Sequence, residues 1–179
     1  MSSKIYSKKI NEMTLVSTEW LNNNLSKVKI FDASWHMPNS NRNGHKEFLN
    51  KHIPGAMFWD LDEHSDKDSP FPHMLPNSDY WTRMLWSFGI ENDDHIVVYD
   101  FSDVHSSCRL WFSLKYFGHK KVSVLDGFMK RWLKENRITS NEINKDIGKF
   151  SYIDKINTKN KYKVSENFDW IKKKRQIDD

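Results

Sequence analysis

The chain has 179 residues and a single cysteine, Cys108, so no disulfide can form within it and any thiol chemistry would have to use that residue. Six glycines and five prolines are too few for a collagen-like or low-complexity chain. No apolar run approaches the ~18 residues of a membrane span, and the three lysines before Glu12 are not followed by the apolar stretch of a secretory signal. These absences predict a soluble, cytoplasmic protein with no membrane partner. Also missing are a Gly-rich phosphate loop of Walker type, a metal-spaced Cys/His cluster and an internal repeat. No metal or other cofactor is expected.

What is present is a core. Aromatic residues make up 14% of the chain, eight of them Trp, and the length suits about one domain of ordinary size. The net charge of +4 is concentrated at the ends: Lys155 to Arg175 holds eight basic and two acidic residues, and the body from Met13 to Asp154 is slightly acidic. A basic tail on an acidic body reads as a solvated terminus, so nucleic acid is not the expected partner.

Along the chain, Leu15-Val16 forms an apolar entry and Ser17 has the chemistry of a helix cap before Thr18-Glu19-Trp20-Leu21. Val28 to Ala33 reads as a strand, about Lys46 to Lys51 as a helix stopped by His52-Ile53-Pro54-Gly55, and Ala56 to Asp60 as a further extended run. A polar, Pro-punctuated connection fills Leu61 to Pro76. Asn77 or Ser78 then caps a helix with Trp81, Leu85, Trp86 and Phe88 at helical spacing, ended by Gly89. Ile96-Val97-Val98-Tyr99 has the β-branched density of a buried strand. After the loop Asp100 to His105 come a helix opened by Ser106-Ser107 and closed by Gly118, the strand Val122 to Leu125, and a helix from Gly127 to Glu135. Strands and helices alternating every ~25 residues or fewer predict βαβ units, a parallel sheet flanked by helices on both faces. From about Thr139 the texture becomes that of a linker, with one amphipathic helix expected over Ser165 to Lys174.

In such sheets ligands collect beyond the strand C-termini, which directs attention to Asp100–His105. A loop between a buried strand and a helix N-terminus can cradle an anion on its backbone N–H groups, or it can be an ordinary connection; a Cys at its first position would be an activated thiolate. The residue there is Asp100.

Taken in order, the stretches Leu15 to Leu21, Phe31 to Pro38, His52 to Ala56, Asp60 to Asp62, Ser69-Pro70 with Pro72 to Pro76, Gly89-Ile90, Val97 to Asp100, Phe117 to His119 and Val124 to Gly127 resemble the N-terminal domain of the two-domain thiosulfate/3-mercaptopyruvate sulfurtransferases, the rhodanese family. The match runs from Leu15 to Trp132. The resemblance implies two rhodanese domains in one polypeptide, of which only the second carries the nucleophilic Cys in its strand-to-helix loop. That Cys takes sulfane sulfur from thiosulfate or 3-mercaptopyruvate and passes it to cyanide or a thiol. The first domain is inactive and forms one wall of the cleft, which fits Asp100 at the nucleophile position. Phe101 and Phe128 stand where Gly is usual. On this reading residues 1–12 are a polar lead, 13–138 a rhodanese-like domain, and 139–179 an interdomain linker with the start of a missing second domain. The implied partners are that second domain, docked across an apolar interface, and a small sulfur-donor substrate.

Asp62 and His73 are the candidate catalytic residues, in supporting roles by resemblance: in the mercaptopyruvate enzymes the matching pair cooperates with a Ser of the second domain. A carboxylate on an imidazole sets its tautomer and raises its basicity, as acid–base chemistry requires, although the same pair can simply anchor a loop. Trp35, His36 and Trp59 are candidates to line the cleft or to pack as core. His52 is expected to cap a helix, Arg109 to pair with an acid such as Asp100 or Asp126, and Cys108 to be a small core residue two turns from the loop. The expected function is the N-terminal part of a sulfurtransferase whose catalytic Cys lies outside this chain. A stand-alone inactive rhodanese module for binding or regulation is the alternative, and an active enzyme using Cys108 the third possibility.

Overall fold

The computed structural model describes residues 13–143 and Val164. The helix expected over Ser165 to Lys174, most of the linker from Thr139 onward and the polar lead before Met13 lie outside the described residues. Within them the chain forms five strands, β1 (Leu15–Val16), β2 (Lys29–Asp32), β3 (Ala56–Phe58), β4 (Ile96–Tyr99) and β5 (Val122–Leu125). The helices are α1 (Thr18–Asn22), α2 (Gly44–Asn50), α3 (Ser78–Ser87), α4 (Ser107–Tyr116) and α5 (Phe128–Lys134). The strands make one sheet in the order β1-β5-β4-β2-β3, parallel at every pairing. The α/β class read from the alternation of elements is the one observed. No helix among the described residues is long and apolar enough to cross a membrane.

Side-chain alternation builds two cores, one on each face of the sheet. Phe31, Met57, Ile96, Val98, Val122 and Val124 point to the face covered by α3 and α4, where they meet Trp81, Leu85, Leu110, Leu114 and Phe117. Their neighbours in the chain, Ile30, Ala56, Val97, Tyr99 and Leu125, point the other way, to Leu21, Phe48, Met129 and Trp132 on α1, α2 and α5. Strands covered on both sides carry apolar residues throughout, which is why β4 reads as four consecutive apolar residues rather than an alternation.

Side-chain caps start three of the helices. Ser17 Oγ accepts from Trp20 N, Asn43 Oδ1 from Lys46 N, and Asn77 Oδ1 from Tyr80 N. At α2 the Asn43 cap moves the start to Gly44, earlier than expected, and a Cβ on Gly44 would lie 2.1 Å from the Ser34 carbonyl oxygen, so only glycine lets the helix come this close to the strand-β2 exit. His52 is the cap partner expected of it: Nδ1 lies 2.7 Å from the Phe48 carbonyl oxygen, and backbone bonds to Ser140 tie the chain after α5 to the end of α2. Phe128, where glycine is usual, has φ +53 and stacks on His105, itself at φ +52, with ring centroids 4.7 Å apart.

The charged group buried most tightly between sheet and helices, apart from the loop after β4, is Asp32. Its Oδ1 accepts from Ser34 N at 2.9 Å and from Ser34 Oγ at 2.5 Å, and it is hydrogen-bonded to the Tyr99 hydroxyl, which also accepts from Ile53 N. Burial dominates these bonds and pushes the Asp32 carboxyl up to about 6. Below pH ~4 folded and unfolded chains both hold this proton and the contribution to stability is complete. As pH rises through about 6 the folded chain must ionise a buried acid, and up to about 3 kcal/mol of relative stability is lost. Asp32→Asn keeps an acceptor toward Ser34 and offers a neutral donor to Tyr99. Urea denaturation is expected to show it more stable than wild type by about 1–2 kcal/mol at pH 7.5 and level with it at pH 4.5; an equal loss at both pH values would refute the buried-proton account.

Candidate functional site

The loop after β4 is organised by the side chain of its first residue. Asp100 is fully buried, and its carboxylate accepts four hydrogen bonds: Oδ1 from Ser102 N and Ser102 Oγ, each at 3.0 Å, and Oδ2 from Ser107 N at 2.9 Å and Ser107 Oγ at 2.5 Å. Two backbone N–H groups of the loop, those of Ser102 and of Ser107 at the start of α4, are therefore satisfied by the chain's own carboxylate. The remaining serines lock the loop to its neighbour. Ser106 Oγ donates to the Ala33 carbonyl oxygen at 2.6 Å and accepts from Trp35 N at 3.0 Å, and Ser34 Oγ accepts from Phe101 N at 2.8 Å. Ser34, Ser102, Ser106 and Ser107 carry this arrangement; the sequence pointed to Ser106-Ser107 only as the opening of a helix, and to neither Ser34 nor Ser102. The one signal available was an Asp followed by Ser two residues on, the pattern of a side-chain turn.

Asp62 and His73, distant in a polar connection, meet: His73 Nε2 lies 2.9 Å from Asp62 Oδ1. A carboxylate oxygen only accepts, so Nε2 donates, and in the neutral imidazole it is Nδ1 that carries the lone pair. The second carboxylate oxygen, Oδ2, accepts from Trp35 Nε1 at 2.9 Å, and the Trp35 ring stands edge-on to the imidazole with centroids 4.9 Å apart. Asp62 is exposed and His73 partly so, at the C-terminal end of the sheet where the strand-end rule places ligands. Beside the pair, an open cleft of about 150 Å³ is lined by Trp35, His36, Arg42, His45, Asp60 and Asp62 among others. Arg42 grips Glu47 through Nε and Nη2, at 2.8 and 2.7 Å, and donates to the Phe101 carbonyl oxygen at 3.1 Å. Burial opposes ionisation of Glu47, but hydrogen bonds from Arg42 and His36 outweigh it and hold the carboxyl below its ordinary value.

Two expectations are corrected. Cys108 is exposed, and it lies in the first turn of α4 rather than two turns from the loop: Ser107, Leu110 and Leu114 take the inward face of the helix, which turns position 108 outward. Desolvation and then the nearby Asp100 raise its thiol above the ordinary value, the reverse of an activated nucleophile. Arg109 pairs with neither Asp100, whose oxygens are occupied, nor Asp126, which is held by Arg131 at 2.7 Å; its Nη2 donates to the His73 carbonyl oxygen at 2.5 Å. Of the three aromatic residues that could line the cleft or pack as core, Trp59 is buried in the core, and Trp35 and His36 line the cleft. Among the described residues no cluster of His, Cys, Asp and Glu has the geometry to hold a metal ion.

A parallel five-stranded sheet flanked by helices is the architecture of a rhodanese-like domain. Residues 17–135 match the family model for that domain, and the chain belongs to the rhodanese family. It is 38% identical to mouse 3-mercaptopyruvate sulfurtransferase over 165 residues, covering 87% of this chain and 56% of that protein. It is 41% identical to bovine thiosulfate sulfurtransferase, covering 72% of this chain and 46% of that one. Its similarity to the thiosulfate/3-mercaptopyruvate sulfurtransferase 1 of Arabidopsis thaliana, described as mitochondrial, is 45% over 66% of this chain and 32% of that one. Among solved structures, SseA from Escherichia coli, described as a 3-mercaptopyruvate sulfotransferase, superposes with a TM-score of 0.69 at 34% identity, over 74% of this chain and 52% of that one. The chain thus spans about half or less of the length of the relatives it matches.

The self-satisfied loop predicts the effect of one substitution. Asp100→Asn turns an acceptor oxygen into a donor facing the donors of Ser107 or Ser102, and the loss of stability is expected to be about 2–3 kcal/mol by chemical denaturation at pH 7. A loss below about 0.5 kcal/mol would mean the loop does not depend on the carboxylate.

Proposed function

We propose that this chain forms the non-catalytic N-terminal part of a sulfurtransferase that moves sulfane sulfur from 3-mercaptopyruvate or thiosulfate to a thiophilic acceptor, with the sulfur-carrying Cys outside this chain. The observation that supports this reading is Asp100: it is the first residue of the loop in which, by resemblance, the second domain carries its nucleophile, and its carboxylate accepts from the N–H groups of Ser102 and Ser107. The resemblance to two-domain enzymes supports it, as does a chain that covers about half of the mouse protein.

In this reading residues 13–138 make one domain, and the residues beyond it link to the second. The contribution of the first domain is a wall of the cleft and a proton relay. With Nε2 committed to Asp62, His73 Nδ1 takes a proton from a thiol of donor or acceptor, and Asp62 stabilises the imidazolium that results. Met37, Phe71, Met74 and Val104, all exposed and all in loops, supply apolar surface for the second domain to cover.

Two measurements test the reading. Thiocyanate formation from thiosulfate or 3-mercaptopyruvate, assayed with this chain alone, is expected at background with or without Cys108→Ser; turnover that Cys108→Ser abolishes would make Cys108 the nucleophile and overturn the proposal. Asp100→Cys, in a Cys108→Ser background, sets a thiol before the Ser102 and Ser107 N–H groups. Ultraviolet absorbance is expected to show its thiolate forming at a lower pH than that of Cys108 in the native chain. A thiolate that forms no earlier than that of Cys108 would show that the loop does not stabilise one.

A further inference from the structure

We propose that Arg109 is a positioning residue for the Asp62–His73 pair, holding the His73 main chain so that the imidazole stays on the carboxylate. This rests on the reading of that pair as the proton-handling group. His73 adopts φ +58, a left-handed backbone that a residue with a side chain takes only when surrounding contacts impose it. Its side chain is held by Asp62 and by the edge-on contact with the Trp35 ring, but those contacts fix the ring and not the chain that carries it. The contact on the main chain comes from across the molecule. Arg109 Nη2 donates to the His73 carbonyl oxygen at 2.5 Å, over a sequence separation of 36 residues.

Arg109 is suited to this use. Its guanidinium lies over the Phe112 ring, 5.5 Å from the centroid, and its own N–H donates to the Ser106 carbonyl oxygen, so the side chain is aimed from a helix start that is itself locked. Both acids that could draw it away are engaged elsewhere: Asp100 by Ser102 and Ser107, and Asp126 by Arg131. The grip on a neutral carbonyl is a charge-assisted bond, stronger than a backbone pair of the same length. The result is a connection between two parts of the site that are far apart in sequence. The Asp100 loop sets the start of α4, α4 aims Arg109, and Arg109 sets His73.

Long-range proton–nitrogen NMR of the imidazoles in the ¹⁵N-labelled full chain tests this without requiring turnover. Wild type is expected to show His73 as a single tautomer protonated at Nε2. In Arg109→Met the Nε2 proton is expected to exchange with solvent about tenfold faster or more, with a second tautomer appearing. Arg109→Lys, which keeps a charged donor, is expected to restore most of the wild-type signal, and Arg109→Gln serves in place of Arg109→Met if that variant does not fold. Lys130→Met, which removes a surface cation held by Asp103, is expected to leave His73 unchanged. Unaltered His73 signals and exchange in Arg109→Met or Arg109→Gln would overturn the proposal. Asp62→Asn separates this from the reading beneath it: a single Nε2-protonated tautomer retained in that variant would show that Asp62 does not govern the ring, whatever Arg109 does.

Discussion

The carboxylate of Asp100 at the end of the central strand is the constraint on which the rest of the site depends. Four donors from Ser102 and Ser107 converge on it in a fully buried position. A buried carboxylate with fewer partners would be costly, and a buried loop with unsatisfied N–H groups would be equally so. Each removes the cost of the other. Once the loop is closed in this way, α4 has a defined start and Ser106 is placed to bond the chain after β2.

The same interaction closes the strand-to-helix loop on an anion that the chain itself supplies, so the N–H groups of Ser102 and Ser107 are taken up within the loop. What the domain retains is the neighbouring pair of Asp62 and His73, joined through Trp35 to β2 and through Arg109 to α4. The exposed thiol of Cys108 is disfavoured in its ionised form, first by desolvation and then by the nearby Asp100.

Much of this was legible in the sequence. The β-branched run Ile96 to Tyr99, the helical spacing of Trp81, Leu85 and Trp86, and the caps at Ser17 and Asn77 rest on local chemistry, and the elements they predict are found within a residue or two. The pairing of Asp62 with His73 was expected from resemblance and is seen as a contact of 2.9 Å. The facing of Cys108 was misread because its apolar neighbours in the chain lie on both sides of a helix, and only the packing of Leu110 and Leu114 against the sheet shows which side is inward. The target of Arg109 was misread for a different reason. A free acid is the natural partner of a cation on paper, but Asp100 and Asp126 are both saturated by closer groups.

The sequence alone determined the parallel α/β architecture, the family and an Asp rather than a Cys at the first position of the loop after β4, because periodicity, capping and motif order are local properties of the chain. Only the tertiary structure decided that the Asp100 carboxylate fills its own loop, that Ser34 and Ser106 stitch the loop to β2, and that Arg109 reaches a carbonyl on the far side of a long connection. Those contacts join residues as many as 73 positions apart. Nothing in a one-dimensional pattern encodes which of several chemically suitable partners will be nearest once the sheet has closed.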